Sequence, residues 1–497
     1  MNRLTELDYT VFLLYLGLII LTGSAFYRRR EDLEDYLLAG RAMKWYAIAP
    51  SIVATLFSGI TYLGAPAFAY ANNLTLLLVG LTILPAIPIV ARIFVPIYYA
   101  SRVFSAYEYL ENRFNKKVRN SASFLFLILR CSYLAVVLYA PSLVLSMITD
   151  ISLTESVLLM GLATTIYTFL GGARAVIWTD VFQFFVFTGT IILILWEVLR
   201  GIGGNVFEAL HIADEYGRLK LVDFRWDLSN SQSVWGILLG GTFINLSTYG
   251  VDQIVVQRYL TAPSWQHACR ALIANAIVVM LMLPCLYAIG IALFAFYQKH
   301  PDHLGSLPTG DAILPYFVVH ELPPGIPGLF VASLFAAVMS TVSSTLNSLT
   351  TISVVDFYQQ YIKTRMPYIR ELKLSRLLTL TWGAVATILA LFIGRWGGTL
   401  IEASITVNSF FGGVLLGVFL LGRYTQRANS QGAFLGLLMG ICSLTVIAGM
   451  TKVSFFWYSP LGCGMTMLIG YVASLQGANQ VFRFCLKHAG CSPRKGS

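Results

Sequence analysis

The chain has 497 residues, 57% of them hydrophobic and only 12% charged. Soluble domains carry about 25% charged residues, so this composition excludes one and points to a protein that crosses a membrane many times. The formal net charge of +10 would suggest a nucleic-acid partner only if the basic residues formed a patch, and they do not.

Apolar runs long enough to cross a bilayer lie near 9–27, 46–71, 75–99, 121–148, 154–171, 178–199, 233–250, 271–297, 324–348, 375–394, 400–421, 432–450 and 456–475. The pattern predicts an all-α integral membrane protein of about thirteen spans. With the N-terminus outside, 24 of the 34 Lys and Arg residues fall on inner segments, clustered at 28–30, 41–44, 102–119, 363–376, 423–427 and 483–495, with Arg174, Arg258 and Arg270 between. Eight fall outside, and Arg92 and Arg130 lie within spans. This asymmetry fixes the orientation, N-terminus out and C-terminus in, and accounts for the basic balance. The first span has too long an apolar run for a cleaved signal, and its basic residues follow it. The cysteines lie in spans or on the inner side, so no disulfide framework is expected. The histidines sit at span ends or in loops without metal-ligand spacing.

Polar residues at membrane depth are costly and mark candidate sites. In the second span, SIVATLFSGITYLGAPAFAY, Gly59, Gly64 and Pro66 are poor helix formers. A broken helix here would free the carbonyls of Ala54 and Phe57 to face a cavity; a proline kink packed on a neighbour would use the same residues. The fourth span buries Arg130, which could pair with a structural carboxylate or receive that of a substrate. Asp180 opens the sixth span near the inner surface, either solvated there or supplying negative charge to a cation site. The seventh span, GGTFINLSTYGVDQ, carries Gly240, Gly241 and Gly250 around Asn245, Ser247, Thr248 and Tyr249. Two interrupted spans five apart predict a five-plus-five inverted repeat. In the ninth span, FAAVMSTVSSTLNS places Ser340, Ser343 and Ser344 on one narrow arc, with Ala337 and Thr341 beside them. Such hydroxyls serve either as packing glue between helices or as ligands of a hard cation.

Five motifs in order, YLLAGR (36–41), AYEYLENRF (106–114), GGARAVIWTDVFQ (171–183), DQIVVQRYLTA (252–262) and SLFAAVMSTVSSTLNS (333–348), give the chain a resemblance to the sodium:solute symporter family over nearly its whole length. The run YAPSLVLSMITDISL (139–153) is similar to the multivitamin and monocarboxylate branch, and bacterial sialic acid transporters share the five motifs. The resemblance implies a main sodium site of the Ala54, Phe57 and Ala337 carbonyls with the Ser340 and Thr341 hydroxyls. It implies a second sodium site of Asp180, Ser340, Ser343 and Ser344. The substrate cavity would lie between the broken spans, lined by Leu56, Ser58, Thr61, Phe243, Asn245, Thr248 and Asn408, with Arg130 a further candidate.

By the same resemblance the organisation is an extra helix at 9–27, repeats at 46–199 and 233–421, two accessory helices at 432–475 and a short basic inner tail at 476–497. Two departures bear on substrate. Gly80 stands near where sugar and sialate members place a polar ligand, and Thr248 replaces the gating tyrosine of galactose members. A polyol would leave buried hydroxyls unmet at roughly 1–3 kcal/mol each, so the expected substrate is a small carboxylate: a monocarboxylate, a vitamin or a sugar acid. The expected protein is thus a multi-pass cell-membrane symporter and not an enzyme, with sodium and a solute as partners and a single copy sufficing. The alternatives are sodium- or proton-coupled uptake of sugars, polyols or amino acids, and, further off, a channel or a membrane solute sensor.

Overall fold

The computed structural model describes residues 4–25, 33–149, 151–170, 172–304, 310–361, 368–393 and 400–488. The basic residues at 28–30, Arg3, Lys363, Arg365, Arg395 and the tail from 489 lie outside these. Among the described residues the secondary structure is helical throughout, with no strand.

In chain order the long helices are α1 (Glu6–Ala25), α2 (Trp45–Leu56), α3 (Gly59–Ala71), α4 (Ile83–Ser101), α5 (Lys116–Ile148), α6 (Leu153–Leu170) and α7 (Ala173–Gly201). They continue with α8 (Val234–Gly250), α9 (Gln253–Leu260), α10 (Trp265–Lys299), α11 (Ile326–Ile352), α12 (Tyr368–Ile393), α13 (Leu400–Tyr424), α14 (Ser430–Met450) and α15 (Tyr458–His488). Nine described helices are long and apolar enough to cross a membrane, and two bent pairs, α2/α3 and α8/α9, bring the number to eleven. The expected spans at 154–171 and 456–475 fall on α6 and on the first part of α15.

Both interrupted spans are bent, by 62° at α2/α3 and by 49° at α8/α9. Each break falls beside a glycine that the pattern singled out, Gly59 and Gly250, and not at the proline. The first is at Phe57–Ser58, and Pro66 sits inside α3. The second is at Val251–Asp252, just after Gly250. Glycines also serve close packing. A Cβ on Gly59 would come within 2.9 Å of Val338 on α11, and one on Gly241 within 2.9 Å of Thr82. Gly80, expected near the substrate, faces Leu283 on α10, 2.7 Å from where its Cβ would stand.

Helix starts follow the usual chemistry. Asn115, Ser264 and Asn429 accept from the backbone N–H three residues on, capping α5, α10 and α14. The centre of the molecule is α11, buried along nearly its whole length. It packs on α2, α5, α7 and the first helix. Its start is capped from another part of the chain: Asp8 Oδ1 accepts from the N–H groups of Gly325 and Gly328, each at 2.8 Å. A buried carboxylate therefore replaces the water that would otherwise satisfy these donors, and it ties α1 to the hydroxyl-rich helix.

Candidate functional site

The first break creates the site. Ending α2 at Leu56 leaves its last carbonyls without the usual amide partner four residues on. Phe57 N–H still reaches Val53 O at 2.8 Å. The next two carbonyls turn to α11: Ser340 Oγ donates to Ala54 O at 2.7 Å and Thr341 Oγ1 donates to Thr55 O at 3.0 Å. The same hydroxyls lie 3.1 and 3.0 Å from Ala337 O. Four of the five groups expected at the main sodium site thus stand within hydrogen-bond reach of one another. Phe57 lies at the break itself, buried, with backbone angles outside the helical range. Thr55 O joins them unforeseen. The donors are neutral oxygens only, a set that suits a small hard cation that has shed its water.

A second cluster lies beside it. Asp180, expected near the inner surface, is fully buried on α7. Its Oδ2 accepts from Ser51 Oγ at 2.7 Å and from Ser344 Oγ at 3.4 Å. Ser344 also shares a 2.8 Å bond with Thr55. Ser343 donates to the Ser340 carbonyl at 3.2 Å, which links the two clusters through one residue of α11. Asp180 Oδ1 is buried with no protein partner, an arrangement that calls for a cation or water at that oxygen.

One neighbour corrects the sequence reading. Arg258, counted among the inner-loop charges, is 1% exposed on α9. Its guanidinium bonds Ser344 Oγ and lies 3.5 Å from Asp180 Oδ2. Asp180 therefore already faces one positive charge. Neither Arg258 nor Ser51 could be read from spacing, because Arg258 reaches Asp180 from beyond the second bend and Ser51 through the packing of α2 on α7.

The hydroxyl stripe of α11 divides its work. Ser340, Thr341 and Ser344 face α2, whereas Thr345 and Thr351 fold back onto carbonyls of their own helix and Ser348 also bonds Gln257 of α9. Both readings, ligand and glue, apply to different residues.

A cavity of about 130 Å³ adjoins the first cluster. It is lined by five of the expected substrate residues, Leu56, Thr61, Arg130, Thr248 and Asn408, and by Thr341. Thr55, Tyr133, Ile244, Ile254, Ser404 and Ile405 complete the wall. Ser58, Phe243 and Asn245 are outside it: Ser58 is the buried first residue before α3, and Asn245 donates to Thr82 Oγ1 at 2.8 Å. Arg130 is not a free receptor for a carboxylate. It forms a buried ion pair with Asp252, with its Nε 3.2 Å from Oδ1. Asp252 follows the apolar run of the seventh span in sequence, and the 49° bend at α8/α9 brings it against Arg130.

A wider cleft of about 780 Å³ opens beside Arg41, Tyr99 and Trp265 and holds none of the expected site residues. Among the described residues no group of three or more His, Cys, Asp or Glu is placed to hold a metal.

Residues 36–440 match the sodium:solute symporter family. The chain is 32% identical over 472 residues to the sodium/sialic acid symporter NanT of Aliivibrio fischeri, covering 94% of this chain and 93% of that protein. It is 37% identical over 445 residues to the sodium-dependent multivitamin transporter of Oryctolagus cuniculus, covering 87% and 69%. In three dimensions it superposes on the substrate-bound, outward-open structure of a Na+-coupled sialic acid symporter with a TM-score of 0.88 at 29% identity, over 95% of this chain and 98% of that one.

Proposed function

Since the chain belongs to the sodium:solute symporter family, we propose that it uses the sodium gradient to import a small organic carboxylate by alternating access. It is a multi-pass membrane transporter and not an enzyme. The observation that carries the reading is the meeting of the Ala54 and Thr55 carbonyls, freed by the first break, with the Ser340 and Thr341 hydroxyls.

In this reading the main sodium ion enters among Ala54, Phe57, Ala337, Ser340 and Thr341. It exchanges two direct hydrogen bonds between α2 and α11 for a charged bridge, so its arrival and departure change how the two helices hold together. A second sodium ion, bound by Asp180, Ser340, Ser343 and Ser344, would share Asp180 with the Arg258 guanidinium. The unpaired Asp180 Oδ1 supports a cation there. Thr341 borders both the main ion and the cavity, which gives sodium a direct influence on substrate. One charge moving inward through 100 mV contributes about 2.3 kcal/mol to uptake.

The halves 46–199 and 233–421 would rock as inverted repeats around this centre, with 9–27 and 432–475 as accessory helices and 476–497 as an inner tail. The N-terminus outside, a lipid-embedded monomer and the absence of a nucleic-acid partner complete the reading. A neutral substrate is the second reading, favoured by one observation: Arg130 is already paired with Asp252.

Uptake into proteoliposomes tests the coupling. An inward sodium gradient should drive accumulation of a carboxylate from a panel of sialic acid, L-lactate and vitamins. Equal uptake in potassium with an inward proton gradient would sink it.

A further inference from the structure

Asp252 is an acid that the transport scheme above leaves unused. It stands at the second helix break, where Oδ1 accepts from the Ile254 N–H at 3.0 Å and so caps α9. The same carboxylate faces Arg130 across the gap to α5. Arg130 Nε donates to Oδ1 and Nη2 pairs with Oδ2. Both side chains are almost wholly buried. Asp252 thus takes the side-on edge of the guanidinium. The remaining N–H groups, on Nη1 and the far side of Nη2, stay available, and a guanidinium has five donors in all.

Arg130 is the one charged residue among those lining the cavity. With Asp252 beside it, the pair brings no net charge to the wall. A carboxylate that enters therefore finds hydrogen-bond donors on Arg130 but no uncompensated positive charge. A place for a balancing cation is the oxygen cluster that includes Thr341, which lines the same cavity.

We infer that Asp252 is a positioning residue that acts through Arg130 to make carboxylate binding depend on sodium. By cancelling the arginine's charge, it leaves the sodium ion at Ser340 and Thr341 as the counter-ion of the substrate. Without Asp252, Arg130 would itself balance the anion, and substrate would bind whether or not sodium is present. The inference rests on the carboxylate reading of the cavity. A buried charge left without its partner seeks another, and an incoming carboxylate is the group that D252N would leave it to find. Asn at the same place keeps an oxygen for the Ile254 N–H and still caps α9; its NH2 replaces Oδ2, so the variant removes the charge together with the hydrogen bond from Arg130 Nη2.

The test measures binding of two probes, sialic acid and L-lactate, to purified full-length protein in sodium and in potassium at equal ionic strength. Each probe is run beside its neutral methyl ester. The wild type should bind at least one carboxylate ten or more times more tightly in sodium than in potassium. In D252N that ratio should fall to about threefold or less, because affinity in potassium rises. The double variant R130Q/D252N, which like the wild type brings no net charge to the wall, should bind more weakly in both salts but keep a tenfold or larger preference for sodium. An unchanged sodium-to-potassium ratio in D252N, or an equal loss of affinity in both salts, would overturn the inference and leave the carboxylate reading standing. A wild type that binds the esters in sodium and neither acid overturns the carboxylate reading, and the inference with it.

Discussion

Removing one hydroxyl, in S340A, isolates the contribution of the α2/α11 contact. Ser340 Oγ lies 2.7 Å from Ala54 O and 3.1 Å from Ala337 O, and it is fully buried. Alanine keeps the Cβ and loses one oxygen, so packing is nearly unchanged and no cavity of consequence opens. Without sodium the variant loses a hydrogen bond with a net value of about 1 kcal/mol. With sodium it loses one of five proposed ligands, which should cost a further increment of about 1–2 kcal/mol. At 1.4 kcal/mol per factor of ten, the sodium concentration for half-maximal uptake should rise about 5- to 30-fold. The assay is a sodium-activation curve in proteoliposomes, with T345A as control, since Thr345 bonds only back to Thr341 O in its own helix. A half-saturating sodium concentration unchanged in S340A would refute the assignment of this hydroxyl to the main ion.

Three further outcomes follow from the geometry. D180N should lower the number of sodium ions moved per substrate, read by paired radiotracer fluxes, while some uptake persists; an unchanged ratio removes Asp180 from the coupling. D8A strips both backbone bonds from the start of α11. It should destabilise the protein by about 1–2 kcal/mol, visible as a lower Tm, whereas D8N should lose less. In the segment before α8, the hydrogen bonds of Arg225 and then of Lys220 hold the Asp223 carboxylate well below its ordinary range. A depressed folded-state value stabilises the loop above the unfolded value near pH 4 and loses that contribution as pH falls further. Limited proteolysis around 218–233 should therefore speed up below about pH 4 in the wild type and show a weaker pH response in D223N.

The sequence made the outline of this molecule readable because membrane depth penalises every polar group that lacks a role. The hydroxyls at 340–344 and the weak helix formers of the second and seventh spans stood out against an apolar background. The bends at those two spans and the contact of Ser340 with Ala54 are where that reasoning pointed. The parts that were not legible are long-range partnerships. Arg130 and Asp252 are 122 residues apart, and Asp252 looks like a loop residue until the 49° bend turns it inward. Arg258 has the same history: read as an inner-surface charge, it is packed against Asp180 and Ser344. The choice between glycine and proline at the first break was also hidden. Pro66, the strongest helix breaker in the segment, is accommodated inside α3, while the chain turns at Phe57–Ser58. There, close approach to Val338 at Gly59 and the carbonyl bonds to α11 supply what the helix gives up.

The central claim is that sodium and solute cross together. Symport is reciprocal, so the most direct measurement reverses the usual assay. Proteoliposomes holding equal sodium on both sides receive an inward gradient of the best-binding solute, and tracer sodium is followed. The account predicts that sodium accumulates inside above its equilibrium level until the solute gradient decays, and that S340A weakens the effect. Sodium movement indifferent to the solute gradient would contradict it.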